Sequence, residues 1–295
     1  MTAAAQARLL ADGRRLHLHH GPIDLIVEAF ASPAERAAAY RRITARFATM
    51  LEELVGELPE LRRPASAAAR PFRGPTARRM ERAVCPLSSD FITPMAAVAG
   101  AVADETLAAL LEGGGIEKAY VNDGGDIALF LSPGQSIRAA VAGTGNGFAD
   151  RLVVRAEDPV RGIATSGWRG RSHSLGIADA VTVLAKSAAE ADAAATIVAN
   201  AVDLPGHPAV TRVPACSLSP DSDLGDRLVT YRVGPLHAGE IAEALDRGHA
   251  AAERLRHAGL IESAALFLGG AVRVCGAPRL APAREETSRE VTVHA

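Results

Sequence analysis

The sequence predicts an α+β protein in which helices pack against mixed or antiparallel sheets. Helical segments with capping signals and short strands of alternating polarity both occur along the chain. They do not follow the regular strand–helix–strand order of a doubly wound parallel sheet, and this favours α+β over α/β. The 295 residues are enough for one large domain or for two smaller lobes.

Alternating apolar residues predict the strands, and capping patterns predict where helices begin. Ser32 to Glu35 is a capping box with Pro33 in the first turn, and Ser187 to Glu190 is a second box ahead of an alanine-rich run. The expected elements are a hairpin over 14–30, a helix over 33–58, a linker or exposed loop over 62–77, a helix over 93–111, strands over 117–122, 126–132, 136–142, 150–156, 161–166 and 179–185, a helix over 187–200, a loop-rich stretch over 199–225, a strand over 227–233, a helix over 237–258 and a closing hairpin over 264–274.

We expect a single domain over residues 1–276. Two sub-lobes are the alternative, with a hairpin and helix over 14–60 and a body over 85–275. The remaining residues, 277–295, are rich in Pro, Arg and Glu, and we expect a flexible C-terminal tail there.

Composition limits the expected compartment and partners. A hydrophobic fraction of 48% and a charged fraction of 22% are ordinary for a soluble globular protein, and a net charge of −2 disfavours nucleic-acid binding. Cys85, Cys216 and Cys275 lack the spacing of a zinc site or a redox pair, which favours a reducing cytoplasm. No signal sequence and no membrane-spanning segment is expected.

Two oxygen-bearing side chains on a predicted helix form the candidate metal site. Asp192 and Thr196 are four residues apart, so they share one face of the helix predicted over 187–200. Oxygen ligands in this arrangement suit Mg²⁺, which takes few protein ligands and keeps several waters. The alternative is that Asp192 only complements the dipole of its own helix and that Thr196 packs.

Two turns are candidates for contact with a nucleotide. The Gly-Gly turn between two strands is typical of a hairpin, but its glycines would also let the backbone approach a ligand closely. The Thr-Ser-Gly turn at the end of a strand is either a plain surface turn or a phosphate-binding turn with free amides and hydroxyls. The candidate residues are Asn122, Gly124, Gly125, Asp126, Thr165, Ser166 and Gly167.

His173 is the candidate proton-transfer residue. It lies in a polar turn between two serines, where a neutral imidazole could act as a base or a hydrogen-bond donor. Asp179 is a weaker candidate for the same role. Ser166, His173 and Asp179 could also form a hydrolase triad, although no G-x-S-x-G elbow accompanies the serine. The glycines of 143–147 do not predict a dinucleotide-binding loop, because Phe148 replaces the third glycine.

Four short motifs follow one another in the middle of the chain. They are Asn-Asp-Gly-Gly-Asp-Ile at 122–127, Thr-Ser-Gly at 165–167, Ser-His at 172–173 and Ala-Asp followed by Thr at 191–196. This series resembles the ApbE family of flavin transferases. The helix that includes residues 94–104 is typical of UPF0280, an uncharacterised ApbE-like subgroup, and the resemblance covers about residues 85–275.

The resemblance implies an enzyme that binds FAD and Mg²⁺ and transfers FMN to a Thr or Ser of an acceptor protein. Asp192 and Thr196 would hold the cation, the two turns would hold the nucleotide, and His173 would move the proton, with Asp179 as the weaker candidate.

Two departures from the family pattern leave an alternative open. Ala99-Gly100 stands where the family has a Lys-Gly pair, and residues 175–178 shorten an acid-Pro-x-Thr-Gly segment. The alternative is a non-catalytic or differently specific binder of a flavin, a pterin or another nucleotide. The sequence does not identify the acceptor protein, and it leaves a homodimer open.

Overall fold

The computed structural model describes residues 4–140, 151–277, 280–281 and 292–294. The strands are β1 (Gln6–Leu9), β2 (Leu16–His20), β3 (Ile23–Phe30), β4 (Lys118–Asp123), β5 (Asp126–Leu131), β6 (Ser136–Ala140), β7 (Arg151–Arg155), β8 (Gly162–Ser166), β9 (Ala180–Ala185), β10 (Val210–Pro214), β11 (Leu228–Val233), β12 (Ser263–Leu268), β13 (Ala271–Cys275), β14 (Leu280–Ala281) and β15 (Thr292–His294). The α-helices are α1 (Pro33–Leu61), α2 (Pro75–Val84), α3 (Val98–Leu111), α4 (Ala188–Ala201), α5 (Ala215–Leu218) and α6 (Ala238–His257), with 3₁₀ turns at Cys85–Leu87 and Pro94–Ala97.

A nine-stranded antiparallel sheet forms the centre of the fold, in the order β1-β2-β3-β4-β5-β8-β9-β12-β13. β5 pairs with β8, because β6 and β7 leave this sheet and form a second sheet with β14 and β15. In the second sheet β15 runs parallel to β6. The start of β5, the end of β8 and the start of β9 meet at one end of the large sheet, and both candidate turns lie there.

Helices cover one face of the large sheet, and the second sheet covers the other face. Along β5, Ala128 packs in the helix-side core, whereas Ile127 and Leu129 pack in another core with Ile137 and Leu152 of the second sheet. The two-residue period of a strand produces this division. α3 contacts β4 and β5, and α4 contacts β5, β8 and β9, so these two helices lie over the strands that carry the candidate turns.

The capping prediction is confirmed for α1 and only half confirmed for α4. Ser32 Oγ accepts the amide of Glu35, and the Glu35 carboxylate accepts the amide of Ser32, each at 3.3 Å. At α4, Ser187 Oγ accepts the amide of Glu190 at 3.3 Å. Glu190 does not complete this box, and within the described part of the chain its buried Oε2 has no hydrogen-bond partner.

Several predicted loops contain regular structure. The stretch 62–77, expected as a linker or loop, already includes the start of α2 at Pro75, and the stretch 199–225 contains β10 and α5. The N-cap of α2 is Gly74, which offers no side-chain hydrogen bond and therefore no capping signal in the sequence. β1 was not expected either, and all four of its residues are exposed, so burial leaves no pattern to recognise.

The expectation that no segment reaches the length of a membrane span is corrected. Pro94–Leu111 is long and apolar enough by length and composition, and 61% of it is buried inside the fold. It packs against α1, α2 and α4 as well as β4 and β5, which accounts for its apolar character.

The predicted class is confirmed, since helices pack on antiparallel and mixed sheets. The glycine stretch 143–147 lies outside the described residues, as does most of the predicted tail. Within 277–295, the described residues 280–281 and 292–294 form β14 and β15, which pair with β7 and β6.

Candidate functional site

The turn between β4 and β5 places two carboxylates side by side. Gly124 and Gly125 have φ angles of +62° and +117°, as a tight hairpin turn requires, and Asn122 Oδ1 accepts the Gly125 amide at 2.8 Å. Asn122 therefore stabilises the turn itself. Asp123 and Asp126 are directly opposed across the hairpin. Like charges in this position repel each other.

One face of α4 carries three polar side chains that are only partly buried. Asp192, Thr196 and Asn200 are half-buried, whereas residues 193–195 and 197–199 between them are buried. Their spacing of four residues puts the three side chains on one face, as predicted for the first two. α4 packs on β5 and β8, so this helix joins the strands that carry both candidate turns.

Asp192 caps a neighbouring helix. Its Oδ2 accepts the amide of Gly100 at 3.1 Å, and the amide of Ala99 also stabilises the carboxylate. These amides belong to the first turn of α3. In return, Asp104 of α3 accepts the amides of Ala188 and Ala189, at 3.1 and 2.9 Å, at the start of α4.

This reciprocal capping orients the Asp192 carboxylate. Two fixed donors on one side of the group hold it in place, and its charge also interacts with that of Asp126. The alternative interpretation, in which Asp192 complements the dipole of its own helix, is replaced by an interaction with the dipole of α3.

The acids of this region are hard to ionise. Burial raises the pKa of Asp123 to about 7, against the opposing effects of a hydrogen bond from the Asp24 backbone and of the positive charge of Arg171. The pKa values of Asp126 and Asp192 are also raised, first by burial and then by the charges of neighbouring aspartates. Burial raises the pKa of Asp104 to about 6. A bound cation would relieve this mutual repulsion, so the donor set suits a hard divalent ion.

The end of β8 contributes its backbone and the Ser166 side chain to the candidate site. The amide of Thr165 donates to Asp126 Oδ1 at 3.2 Å, but the Thr165 hydroxyl contacts the Thr182 hydroxyl at 2.9 Å. Strand alternation puts Ser166 on the helix side, with Ala164, and puts the Thr165 side chain on the opposite side. Of the two predicted hydroxyls, only that of Ser166 faces α4.

Gly167 allows two chain segments to come together. A Cβ at this position would lie 2.6 Å from the Asp179 carbonyl oxygen, and the next amide, that of Trp168, donates to the Ala178 carbonyl at 3.0 Å. We therefore find a packing role for Gly167, and its proposed contact with a nucleotide stays a prediction.

The segment that carries His173 contacts two other parts of the site. On one side, the Arg171 guanidinium rests on Gly124 of the β4–β5 turn. On the other side, Asn200 Oδ1 of α4 accepts the Leu175 amide at 2.9 Å and contacts Ser174 Oγ at 3.3 Å. The imidazole is half-buried and has no hydrogen-bond partner among the residues that the structure describes.

Asp179 holds two turns together. Its Oδ1 accepts Arg169 Nε at 2.6 Å and Trp168 Nε1 at 3.3 Å, and its Oδ2 accepts the Gly269 amide at 2.8 Å. No hydrogen bond joins it to His173 in the described structure. The hydrolase triad is therefore not formed, because the carboxylate that would orient the imidazole is bound to other donors.

The ribbon of β10 and β11 supports the segment that carries His173. The Thr230 amide donates to the Ser174 carbonyl at 2.8 Å, and the Thr230 hydroxyl donates to the Gly176 carbonyl at 2.7 Å. Arg212 binds the Leu175 carbonyl and Asp203. Arg212 lies in the stretch 199–225 that the sequence indicated to be loop-rich, whereas Thr230 lies on β11, where the sequence predicted a strand over 227–233.

Three acids and a threonine do not make a complete metal site. Within the described ranges, no three His, Cys, Asp or Glu side chains are grouped so that they could hold a metal by themselves. Mg²⁺ commonly binds through one or two carboxylates, waters and the phosphates of a substrate. Asp192, Asp126 and the Thr196 hydroxyl are suitable protein ligands for such a shared site.

The structure also draws attention to residues that the sequence analysis missed. Asp123 could have been noticed in the Asp-Gly-Gly-Asp turn, and Asn200 continues the spacing of Asp192 and Thr196. Arg171 and Asp104 reach the region from distant segments, and their local sequence carries no signal.

Curated relatives of the chain are uncharacterised. It is 39% identical over 130 residues to a UPF0280 protein of Methanothrix thermoacetophila. The aligned residues make up 43% of this chain and 52% of that protein. It is 44% identical over 115 residues to a UPF0280 protein of Methanococcus vannielii, which covers 37% and 45%. The chain spans about half the length of the curated relatives it matches.

Two solved structures that align with most of this chain are named flavin transferases. A variant of the flavin transferase ApbE from Vibrio cholerae aligns with 93% of this chain and 97% of its own, with a TM-score of 0.46 and 12% identity. The flavinyl transferase ApbE of Pseudomonas stutzeri aligns with 92% and 95%, with a TM-score of 0.45 and 13% identity. The likeness is low at these values.

Family membership follows from the sequence profile. The profile of a family described as "AbpE bacteria" matches residues 7–274, which is most of the chain. The chain therefore belongs to this family.

Proposed function

We propose that the chain is a Mg²⁺-dependent transferase that binds FAD and transfers FMN to a Thr or Ser hydroxyl of a protein. The resemblance of the four sequence motifs to those of the ApbE flavin transferases supports the reaction class. One observation of the site carries the proposal: Asp192 of α4 and Asp126 of the β4–β5 hairpin interact at the end of the sheet where the Gly-Gly and Thr-Ser-Gly turns also lie.

The cation would be held by Asp192 and the Thr196 hydroxyl, with Asp126 beside them. The capping amides at the start of α3 hold the Asp192 carboxylate in one orientation. Bound Mg²⁺ would neutralise charge on the pyrophosphate during transfer. The raised pKa values of these acids agree with a site that is incomplete without a cation.

The nucleotide would lie along the two turns. Gly124 and Gly125 present backbone without a Cβ, which lets a ligand approach closely. Ser166 faces the helix side and could donate its hydroxyl to a phosphate oxygen. Asn122, Thr165 and Gly167 would contribute by fixing the turns rather than by direct side-chain contact.

His173 would accept the proton of the acceptor hydroxyl. The hydroxyl oxygen forms a bond to the phosphorus of the FMN half, and the bond between that phosphorus and the oxygen of AMP breaks. The proton passes to the imidazole, and AMP leaves with the electron pair of the broken bond. Asp179 would act on this residue only indirectly, by fixing the segment 167–170.

A second candidate function is a binder that lacks the transfer step. Asp179, the other proposed proton-transfer group, is fully engaged with Arg169, Trp168 and Gly269, so His173 has no carboxylate to orient it in the described structure. Such a protein would bind a flavin, a pterin or another nucleotide without cleaving it.

The test measures AMP and flavinylated protein together. The purified chain is incubated with FAD and Mg²⁺ in the presence of a lysate from its source cells, which supplies acceptor proteins. AMP is measured by chromatography, and flavinylated protein by ultraviolet fluorescence on a denaturing gel. We expect both products with the natural chain and neither with His173→Ala or Asp192→Asn. FAD binding without either product would favour the second function, and no binding of any flavin or nucleotide would contradict both.

A further inference from the structure

The Arg171 side chain lies against the backbone of the Gly124–Gly125 turn, which we propose binds the nucleotide. Its guanidinium lies where a Cβ on Gly124 would be, in direct contact with the turn. Gly124 has a φ of +62°, so the turn needs glycine for its conformation, and the missing side chain also makes room for the guanidinium.

The same side chain is a counter-ion of the acids. Gly124 directly follows Asp123, and Asp126 is opposed to Asp123 across the hairpin, so the positive charge against this turn opposes the repulsion between the two carboxylates. Without this charge, the two opposed carboxylates of β4 and β5 would repel each other more strongly.

The guanidinium is held loosely. Arg171 is exposed, and no hydrogen bond joins it to another residue in the described part of the chain. Arg171 lies in an irregular segment that is held by hydrogen bonds on either side of it. The Gly170 amide donates to the Gly167 carbonyl, and the Leu175 amide donates to Asn200 Oδ1. The side chain can therefore move away from the turn while the segment stays in place.

We propose that Arg171 is the phosphate-binding residue of the site and that, before ligand arrives, it takes the place of the cation beside Asp123 and Asp126. This inference rests on the proposed function for the identity of the ligand. A planar guanidinium with several donors suits the oxygens of a phosphate, and it pairs with them more specifically than an ammonium group does. Once Mg²⁺ binds the acids, the guanidinium becomes available to the phosphate.

The two roles predict effects of opposite sign in one variant. In Arg171→Gln the competing cation is gone, so Mg²⁺ alone should bind the protein more tightly, by about threefold or more. The same variant lacks the phosphate partner, so ADP and FAD, each with Mg²⁺, should bind about tenfold or more weakly. Riboflavin, which has no phosphate, should bind the variant and the natural chain alike.

Arg254→Gln is the matched control. Arg254 is an exposed arginine on α6 and belongs to neither candidate turn. Its replacement should leave Mg²⁺ and nucleotide affinities unchanged. Arg171→Lys keeps the charge but loses the planar fork, and it should restore the natural Mg²⁺ affinity while recovering nucleotide affinity only in part.

Calorimetry of the four proteins with Mg²⁺, Mg-ADP, Mg-FAD and riboflavin decides the matter. Unchanged Mg²⁺ affinity in Arg171→Gln would overturn the counter-ion role, and unchanged nucleotide affinity would overturn the phosphate role, while the proposed transferase function would stand in both cases. A natural chain that binds Mg²⁺ but neither nucleotide would overturn the proposed function and the phosphate role together.

Discussion

Asp192 combines a structural and a proposed chemical role in one carboxylate. Its Oδ2 accepts the Gly100 amide, and its charge acts on Asp126. Asp192→Asn keeps an oxygen for the amide but removes the charge, so it separates the two roles better than Asp192→Ala would.

We expect Asp192→Asn to weaken Mg²⁺ binding at pH 8 by about 2–3 kcal/mol, because a charged ligand is lost. Thr196→Val removes only a neutral hydroxyl and keeps the shape of the side chain, so it should cost about 1 kcal/mol. Calorimetry with Mg²⁺ and ADP measures both. Equal affinities in all three proteins would show that the helix pair is structural.

The stability of the unliganded protein should depend on Asp123. Burial raises the pKa of this carboxyl in the folded state to about 7, above its ordinary value of 3.8. Between these pH values the folded state keeps a proton that the unfolded state releases, so stability falls as pH rises from about 4 to about 7 and levels off above that.

Asp123→Asn cannot ionise and should escape this loss. Relative to the natural chain, the variant should gain roughly 2 kcal/mol between pH 5 and pH 8. Urea unfolding at the two pH values measures the difference. Asp221→Asn, a change at an exposed acid, is the control. If the stabilities of the variant and the natural chain changed with pH in the same way, the ionisation of Asp123 would cost no folding free energy.

The sequence could predict some of these residues and not others. The helical spacing of Asp192 and Thr196 was visible, since four residues always return to the same face. The side of the sheet on which Thr165 points depends on the strand register, and that became clear only from its contact with Thr182. Arg171 reaches Gly124 across 47 positions of sequence, and no local pattern encodes such a contact.

At the scale of elements, the site depends on how closely α3 approaches α4. A Cβ on Gly100 would overlap the Ala188 carbonyl and would lie 2.7 Å from the Ala189 amide nitrogen. The reciprocal caps need this short distance, because Asp104 and Asp192 each reach across to the first turn of the other helix. Gly100 is thus the residue that sets the distance between the two helices.

Gly100→Ala should therefore destabilise the protein, by about 1–3 kcal/mol, although alanine is the better helix former. It should also weaken Mg²⁺ binding, since Asp192 loses its fixed donors. Gly56→Ala on α1 is the matched control, because nothing lies within 4 Å of the Cβ that it adds. That change should be neutral or stabilising by up to about 1 kcal/mol. Thermal unfolding of both variants checks the prediction, and equal stabilities would show that the helices adjust freely.

Side-chain caps made the starts of two helices predictable, and two elements without a clear local signal were missed. Ser32 and Ser187 marked the starts of α1 and α4 to within a residue. α2 has Gly74 as its cap, and β10 has no buried residue to give an alternating pattern. For the same reason, β10 and its pairing with β11 were not expected, although β11 itself was predicted as the strand over 227–233.

In the whole molecule, the large sheet brings together residues that are far apart in sequence. Antiparallel pairing of β5 with β8 brings the Thr165 amide within hydrogen-bond distance of Asp126, and α3 and α4 pack on the same strands from one side. Composition and periodicity predicted the class of the fold. They could not predict that β6 and β7 leave the sheet, because this pairing is decided by long-range contacts rather than by local propensity.

Ligand binding should therefore stabilise the whole fold, because the site joins two helices and a hairpin that are separate along the chain. A ligand at a hundred times its Kd stabilises the native state by about 2.7 kcal/mol. We expect the melting temperature of the natural chain to rise with Mg²⁺ and FAD together, and to rise less with FAD alone. In Asp192→Asn the additional effect of Mg²⁺ should disappear, whereas Gly56→Ala should keep it in full. A thermal-shift series with FAD, FMN, ADP and a pterin, each with and without Mg²⁺, tests this. Stabilisation by FAD that is the same with and without Mg²⁺ would contradict a shared metal–nucleotide site, and a response to the pterin alone would favour the second function.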